Sequence, residues 1–107
     1  MDITKLTTNP DMTENFSMQQ IADVDELQLN LVRLKAGKDL PAHNANSNVR
    51  LLVLEGELTI VANGEEGKAG MHSIANVAYN TPMQLRNLGD TDVVFVVIKT
   101  PNPRMMR

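Results

Sequence analysis

Hydrophobic and polar residues alternate in short runs along much of this chain. Leu27, Leu29 and Leu31 are separated by polar residues, and Met83 and Leu85 repeat the arrangement further on. Alternation with a period of two residues is typical of β-strands that bury one face. The pattern therefore predicts a half-buried strand at each place.

The first of these runs changes phase within its length. After Leu31, the apolar positions become Val32 and Leu34, on either side of Arg33. A shift of the buried face by one residue is what a β-bulge produces. We therefore expect a bulge in this strand, and Gly37 to end it.

Turn signals divide the rest of the chain into short pieces. Glycine or Asn-Gly turns are expected near Gly56, Asn63-Gly64 and Gly70, and a further turn at 87–90. The apolar runs between them predict strands near 49–54, 58–62, 72–75, 83–87 and 93–98, with another before Gly70. Many short strands without a convincing helical period indicate an all-β sandwich or barrel with little or no helix.

Two of the predicted strands, 51–54 and 93–98, are apolar at every position. An antiparallel strand with one face in water should alternate, so a second layer must cover the outer face of each. Either the N-terminal arm covers it, or a second copy of the chain packs there. We favour a homodimer formed by sheet packing, because exposed apolar strands promote aggregation.

The chain divides into three parts by pattern. Residues 1–24 are mostly polar and predict an N-terminal arm with a possible strand at 16–21, although Asp11 and Glu14 have the spacing of a helix cap. Residues 25–100 hold the strand pattern, and 101–107 form a C-terminal tail.

The spacing of three residues resembles a known motif. Gly37, His43 and Gly56 fit the first motif of the cupin superfamily, G-x5-H-x-H-x3-E-x6-G. The second motif, P-x-G-x2-H-x3-N, falls on Ala78, Asn80, Met83 and Asn87, with Pro82 before the ligand position. The chain is similar to a small single-domain cupin over residues 25–100.

This resemblance implies a small jelly-roll or double-stranded β-helix barrel, commonly dimeric, with a site inside the barrel. In typical cupins three histidines and a carboxylate hold a metal ion. The matching positions here are His43, Ala45, Val49 and Met83. Ala and Val cannot ligate a metal, and a tight site needs about three protein ligands. We therefore expect a degenerate metal site and no cofactor. The remaining alternative is a divalent metal at His43, or Cu(I) between His43 and Met83.

If the strands keep their register, one set of side chains points into the barrel with His43. They form the predicted pocket, with Tyr79 at its mouth: His43, Val49, Leu51, Val53, Tyr79, Met83 and Leu85. An apolar cavity with one titratable group is a common form of small-molecule site. The alternative is that these side chains fill the barrel completely.

Three roles are open for His43. It either hydrogen-bonds to the Asn44–Asn48 loop, orients a small molecule, or ligates a metal. Met83 is interpreted as a pocket wall, since thioethers fill irregular apolar gaps.

Composition excludes several functions. The chain of 107 residues has a net charge of −3 and three aromatic residues, which argues against nucleic-acid binding. It has no cysteine, which excludes disulfides, thiolate zinc sites and cysteine nucleophiles. No signal peptide or membrane-spanning run is evident, so a cytoplasmic location without a membrane partner is predicted.

The functional prediction is metal-independent binding of an unidentified small molecule, as a sensory or accessory module. No catalytic residue is predicted, and an enzyme is disfavoured. The alternatives are a cupin enzyme with an atypical metal site at His43 and a structural dimer with a filled barrel.

Overall fold

The computed structural model describes residues 1–106, which form nine β-strands and one short 310-helix, Pro103–Met105. The strands are β1 (Phe16–Val24), β2 (Leu27–Leu34), β3 (His43–Asn44), β4 (Asn48–Glu55), β5 (Leu58–Ala62), β6 (Glu65–Ala69), β7 (Ile74–Val77), β8 (Pro82–Arg86) and β9 (Val93–Thr100). The prediction of an all-β chain with little helix is confirmed. Arg107, the last residue of the predicted tail, lies outside the described residues.

The strands form two antiparallel sheets that pack face to face. The five-stranded sheet has the order β1-β2-β9-β4-β7, and the four-stranded sheet has the order β3-β8-β5-β6. Neighbouring strands in each sheet are mostly distant in sequence, as a jelly roll requires. From β2 onwards the chain crosses between the two sheets at every connection except that between β5 and β6.

The core lies where the inner faces of the two sheets meet. Six of its side chains are completely buried: Leu34, Leu51, Val53, Leu58, Val93 and Phe95. Burying one such side chain stabilises the fold by about 1.5–3 kcal/mol. These residues come from β2, β4, β5 and β9, so the core joins both sheets.

The expected bulge in β2 is wrong. β2 pairs with β9 without interruption from Gln28 to Leu34, and the register shift lies in β1, between Gln20 and Ala22. The apolar pattern changes phase within β2 because both faces of the strand are buried toward its C-terminal end. Val32 packs in the core, whereas Leu31, on the opposite face, lies against the N-terminal residues.

The N-terminal arm covers part of the outer face of the five-stranded sheet. The Arg33 guanidinium donates to the Thr8 carbonyl oxygen at 2.8 Å, and the Gln19 side chain bonds the backbone of Lys5 and Thr7. Val94, opposite Arg33 on β9, and Leu31, two residues before Arg33 on β2, are both buried. The arm has no helix at 11–14 and bends at 13–15, so the alternative of a capped helix there is not formed.

Val96 and Leu52, which face each other on the outer surface of β9 and β4, are only half-buried. Ile74, opposite Leu52 on β7, is 53% exposed. The arm therefore covers one end of this face and leaves an apolar strip uncovered within the single chain.

Gly56, the last glycine of the first motif, is required by the turn after β4. It has a φ of +76°, in the left-handed region that favours glycine. A Cβ atom at this position would lie 2.7 Å from the Asp92 carbonyl oxygen, which is closer than real Cβ contacts. The turn after β4 therefore packs directly on the turn before β9.

Asn87 holds together the turn that follows β8. Its buried amide nitrogen donates to the carbonyl oxygens of Leu34 and Thr91, at 3.1 and 2.8 Å. Its amide oxygen accepts from the Gly89 backbone N–H at 3.0 Å. This motif residue thus links the end of β2 to the turn before β9, and its role here is structural.

We predict that Asn87→Ala lowers the free energy of unfolding by about 3 kcal/mol, because three backbone groups lose their partner in a buried place. Chemical denaturation measures the change. Asn46→Ala is the matched control, since Asn46 is exposed, and it should change the stability by less than about 0.5 kcal/mol. Equal effects of the two substitutions would contradict the structural role of Asn87.

Candidate functional site

A cavity of about 340 Å³ opens between the two sheets on the side of β1 and β3. Its walls are mostly apolar, with three polar side chains among them. The lining residues are Phe16, Met18, Asn30, Val32, Leu40, Pro41, His43, Val49, Leu51, Met83, Leu85, Val97 and Lys99. The barrel is therefore packed around Phe95 but is not filled at this end.

The cavity exists because the sheets are unequal in width. β1 lies at the edge of the five-stranded sheet, and β3, the edge strand on the other side, has only two residues. The inward side chains of β1 consequently lack a complete opposing layer. Phe16 and Met18 line the mouth and remain 36% and 59% exposed.

Five of the seven predicted pocket residues line this cavity: His43, Val49, Leu51, Met83 and Leu85. Val53 lies deeper and is completely buried in the core. Tyr79 is 48% exposed and does not line the cavity. Its backbone N–H donates to the Asn48 side chain at 3.1 Å, so it belongs to the turn before β8.

His43 lies opposite Met83 in the β3–β8 register, on the same face of the sheet. Its Nδ1 is 3.1 Å from the Pro41 carbonyl oxygen, to which it donates when that nitrogen carries the proton. The bond is thus to Pro41, two residues earlier in the chain, and not to the Asn44–Asn48 loop that the sequence suggested. In that tautomer Nε2 is an acceptor.

Three of the four positions that match metal ligands in the cupin motifs hold buried, apolar side chains. Ala45 is 1% exposed, and its backbone N–H and C=O bond the turn at Asn80 and Thr81. Val49 and Met83 are buried walls of the cavity. Within residues 1–106, no three His, Cys, Asp or Glu side chains come together as a metal site would require.

Lys99 is a cation inside this apolar cavity. It is half-buried, and its burial lowers the pKa of its amine below the ordinary lysine value. The ion pairs formed within residues 1–106 involve Arg33, Arg86 and Arg104, and Lys99 is not among them. Lys99 therefore lines the cavity and has no carboxylate partner in the described part of the chain.

Asn30 is the second polar group in the wall. It is 7% exposed, and its Oδ1 is buried without a hydrogen-bond partner within the described chain. Its Nδ2 makes one long hydrogen bond, of 3.4 Å, to Gln28. A buried amide oxygen without a partner costs about 1–3 kcal/mol, so Asn30 brings an unsatisfied acceptor to the wall of the cavity.

Sequence reasoning missed both groups, although a signal was present. The inward positions of β9 are Val93, Phe95 and Val97, and one further step of the same alternation places Lys99 inside. Asn30 was taken as solvent-facing because its neighbours Leu29 and Leu31 were read as the buried face. The phase set by Val32 and Leu34 places Asn30 inside instead.

The two-sheet topology and the site position between the sheets define a double-stranded β-helix of the cupin type. No protein-family model matches the sequence. An uncharacterised protein from Methanocaldococcus jannaschii is 28% identical over 92 residues, which are 83% of this chain and 78% of that protein. The crystal structure of that protein, described as an RmlC-like cupin with a double-stranded β-helix fold, matches with a TM-score of 0.79 and covers 96% of both chains.

Two other solved structures extend the likeness. A cupin superfamily protein from Desulfitobacterium hafniense has a TM-score of 0.75 at 14% identity, covering 86% of this chain and 82% of its own. The cupin_2 domain of an XRE family transcriptional regulator from Enterobacter cloacae has a TM-score of 0.69 at 19% identity, covering 79% and 95%. The chain is therefore a small protein of the cupin fold, and the resemblance predicted from sequence is confirmed at the level of the fold.

In residues 1–106 we find no helix with the length and apolar character needed to cross a bilayer.

We predict that Asn30→Leu raises the free energy of unfolding by about 1 kcal/mol, because it replaces an amide that lacks a partner with an apolar side chain of similar size. Thermal and chemical denaturation measure the change. Asn102→Leu is the matched control and should be destabilising. Asn102 is also buried, but its amide donates to Asp23 and accepts from the Arg104 N–H. A loss of stability in both variants would show that the Asn30 amide is satisfied in the free protein.

Proposed function

We propose that this protein binds a small, largely apolar molecule inside the barrel without a resident metal, as a sensory or accessory module. The observation that carries the proposal is the cavity, in which ten of the thirteen lining residues are apolar. Its volume is at the lower end of the range of small-molecule sites. The cytoplasmic location predicted from the sequence is part of this proposal.

Binding is a better account of the site than catalysis. Within residues 1–106 the lining side chains include no carboxylate, hydroxyl or thiol, so the cavity offers no oxygen or sulfur nucleophile. A sensory role is supported by the structural neighbour from Enterobacter cloacae, which is a domain of a transcriptional regulator.

A neutral fluorescent probe tests the proposal. We expect N-phenylnaphthylamine to bind with one equivalent per chain and to gain fluorescence, because the cavity offers an apolar enclosure. Val97→Phe should weaken this binding at least about tenfold, since Val97 lines the cavity and a larger side chain there occupies its volume.

The control is the neighbouring residue on the same strand. Val96 faces the outer surface of the sheet, so Val96→Phe should leave the affinity unchanged. If Val96→Phe abolishes binding and Val97→Phe does not, the probe binds the outer face and the proposal fails.

The second candidate is a weak metal site at His43. The observation that favours it is the cross-strand register of His43 and Met83, which places an imidazole and a thioether on one face at the mouth of the cavity. Such soft ligands suit Cu(I), but two ligands make a weak site.

We expect that the protein purified without chelator contains no stoichiometric metal, and that Zn²⁺ or Cu(I) leaves the melting temperature unchanged. An ion that bound the native state would raise it. Elemental analysis and thermal denaturation measure both. A rise in melting temperature that His43→Ala abolishes would establish the metal site in place of the leading proposal.

A homodimer formed by sheet packing remains a proposal. It is supported by the strip of Leu52, Ile74 and Val96 that the N-terminal arm leaves uncovered. A stable monomer in sedimentation at low protein concentration would remove it.

A further inference from the structure

We propose that the cavity selects apolar molecules that carry a carboxylate beside a hydroxyl, with Lys99 binding the carboxylate and Asn30 binding the hydroxyl. This inference rests on the proposed function and specifies the ligand class of the same site. It is carried by the positions of the two groups, the charge of the cavity and the missing hydrogen bond of Asn30.

The two polar side chains lie on the same inner face of adjacent strands. Asn30 on β2 is directly opposite Val97 on β9, and Lys99 is two residues further along β9. Such diagonal neighbours have their backbones about 7–8 Å apart, which long side chains can bridge. Both groups line the cavity, so one ligand can contact them together.

The charge of the cavity favours an anion. Lys99 and His43 are the only titratable groups among the lining residues, and neither an aspartate nor a glutamate joins them. An anionic group beside Lys99 would offset the cost of holding its ammonium half-buried. Because a single lysine provides the permanent cation, a singly charged carboxylate suits the site better than a doubly charged phosphate group.

The amide of Asn30 adds a second requirement. It is more than nine-tenths buried, and its Oδ1 has no partner within the described residues. A ligand hydroxyl donates to the amide oxygen, or accepts from the NH2 group if the amide turns by 180°. A hydroxyl therefore satisfies this residue in either orientation, whereas a second carboxylate would satisfy only one.

The remaining walls define the rest of the ligand. Val32, Leu51 and Leu85 offer no hydrogen-bonding side chain, and Phe16 and Met18 line the mouth. A short branched or aromatic tail fits these walls and is excluded from water by them. The ligand class is thus a small apolar hydroxy acid.

Three compounds with the same branched carbon chain separate the contributions: isohexanol, isocaproate and leucate. They carry a terminal hydroxyl, a carboxylate, and a carboxylate with an adjacent hydroxyl. Displacement of N-phenylnaphthylamine measures their affinities. We expect isocaproate to bind about tenfold tighter than isohexanol, and leucate about tenfold tighter again, which are typical gains from a charged and a buried hydrogen bond.

Two variants assign each gain to a residue. Lys99→Met should reduce the affinity for isocaproate to that for isohexanol, and Asn30→Leu should reduce the affinity for leucate to that for isocaproate. Lys68→Met is the control for net charge, because Lys68 is exposed on β6 and outside this cavity. It should leave all three affinities unchanged.

The outcomes distinguish this inference from the function on which it rests. If N-phenylnaphthylamine binds but the three compounds displace it equally, or if Lys99→Met does not weaken isocaproate, the ligand class is wrong and the cavity proposal stands. A variant that loses isohexanol as strongly as isocaproate also contradicts the assignment, since the loss then reflects the shape of the cavity. If the probe itself does not bind, both proposals fail.

Discussion

The structure depends on the packing of two sheets of unequal width. The inner face of a five-stranded sheet must be covered by a sheet of four strands, one of which, His43–Asn44, has two residues. Coverage is complete around Phe95, where six side chains are fully buried. It is incomplete toward β1, and the uncovered inner surface becomes the cavity. The cavity and the fully packed core therefore occupy different parts of the space between the two sheets.

Two buried asparagines separate a side chain that stabilises a turn from one that belongs to the proposed site. Asn87 and Asn30 are both buried asparagines, but Asn87 makes three hydrogen bonds to or from the backbone, and Asn30 has an oxygen without a partner. A buried amide with all its bonds fixes a turn, whereas one with an open bond costs stability until a ligand supplies a donor. Lys99 is comparable, because its half-buried amine has no carboxylate partner in the described residues and a bound anion would supply one.

Much of the fold could be predicted from alternation and turn residues, and the site only in part. Val49, Leu51, Met83 and Leu85 were expected to point inward because their strands alternate cleanly, and they line the cavity. Asn30 was missed because Leu31 is covered by the N-terminal arm, a tertiary contact that reverses the apparent buried face. Tyr79 was expected at the mouth of the cavity but does not line it, because position in a turn does not determine where the side chain points. The division of the chain into arm, barrel and tail stays a prediction.

Apolar side chains at the positions that match metal ligands limit where polar groups can meet a ligand in the barrel. The motif positions Ala45, Val49 and Met83 present apolar atoms, so polar recognition from those positions is reduced to His43. The two other polar groups, Asn30 and Lys99, lie outside both motifs and on the sheet opposite His43, with Lys99 directly across from Val49. A ligand held between the sheets would then be oriented from β2 and β9, with apolar contacts where a metal centre would have been. In the proposed complex, hydrogen bonding and charge in this enclosed position would orient the ligand.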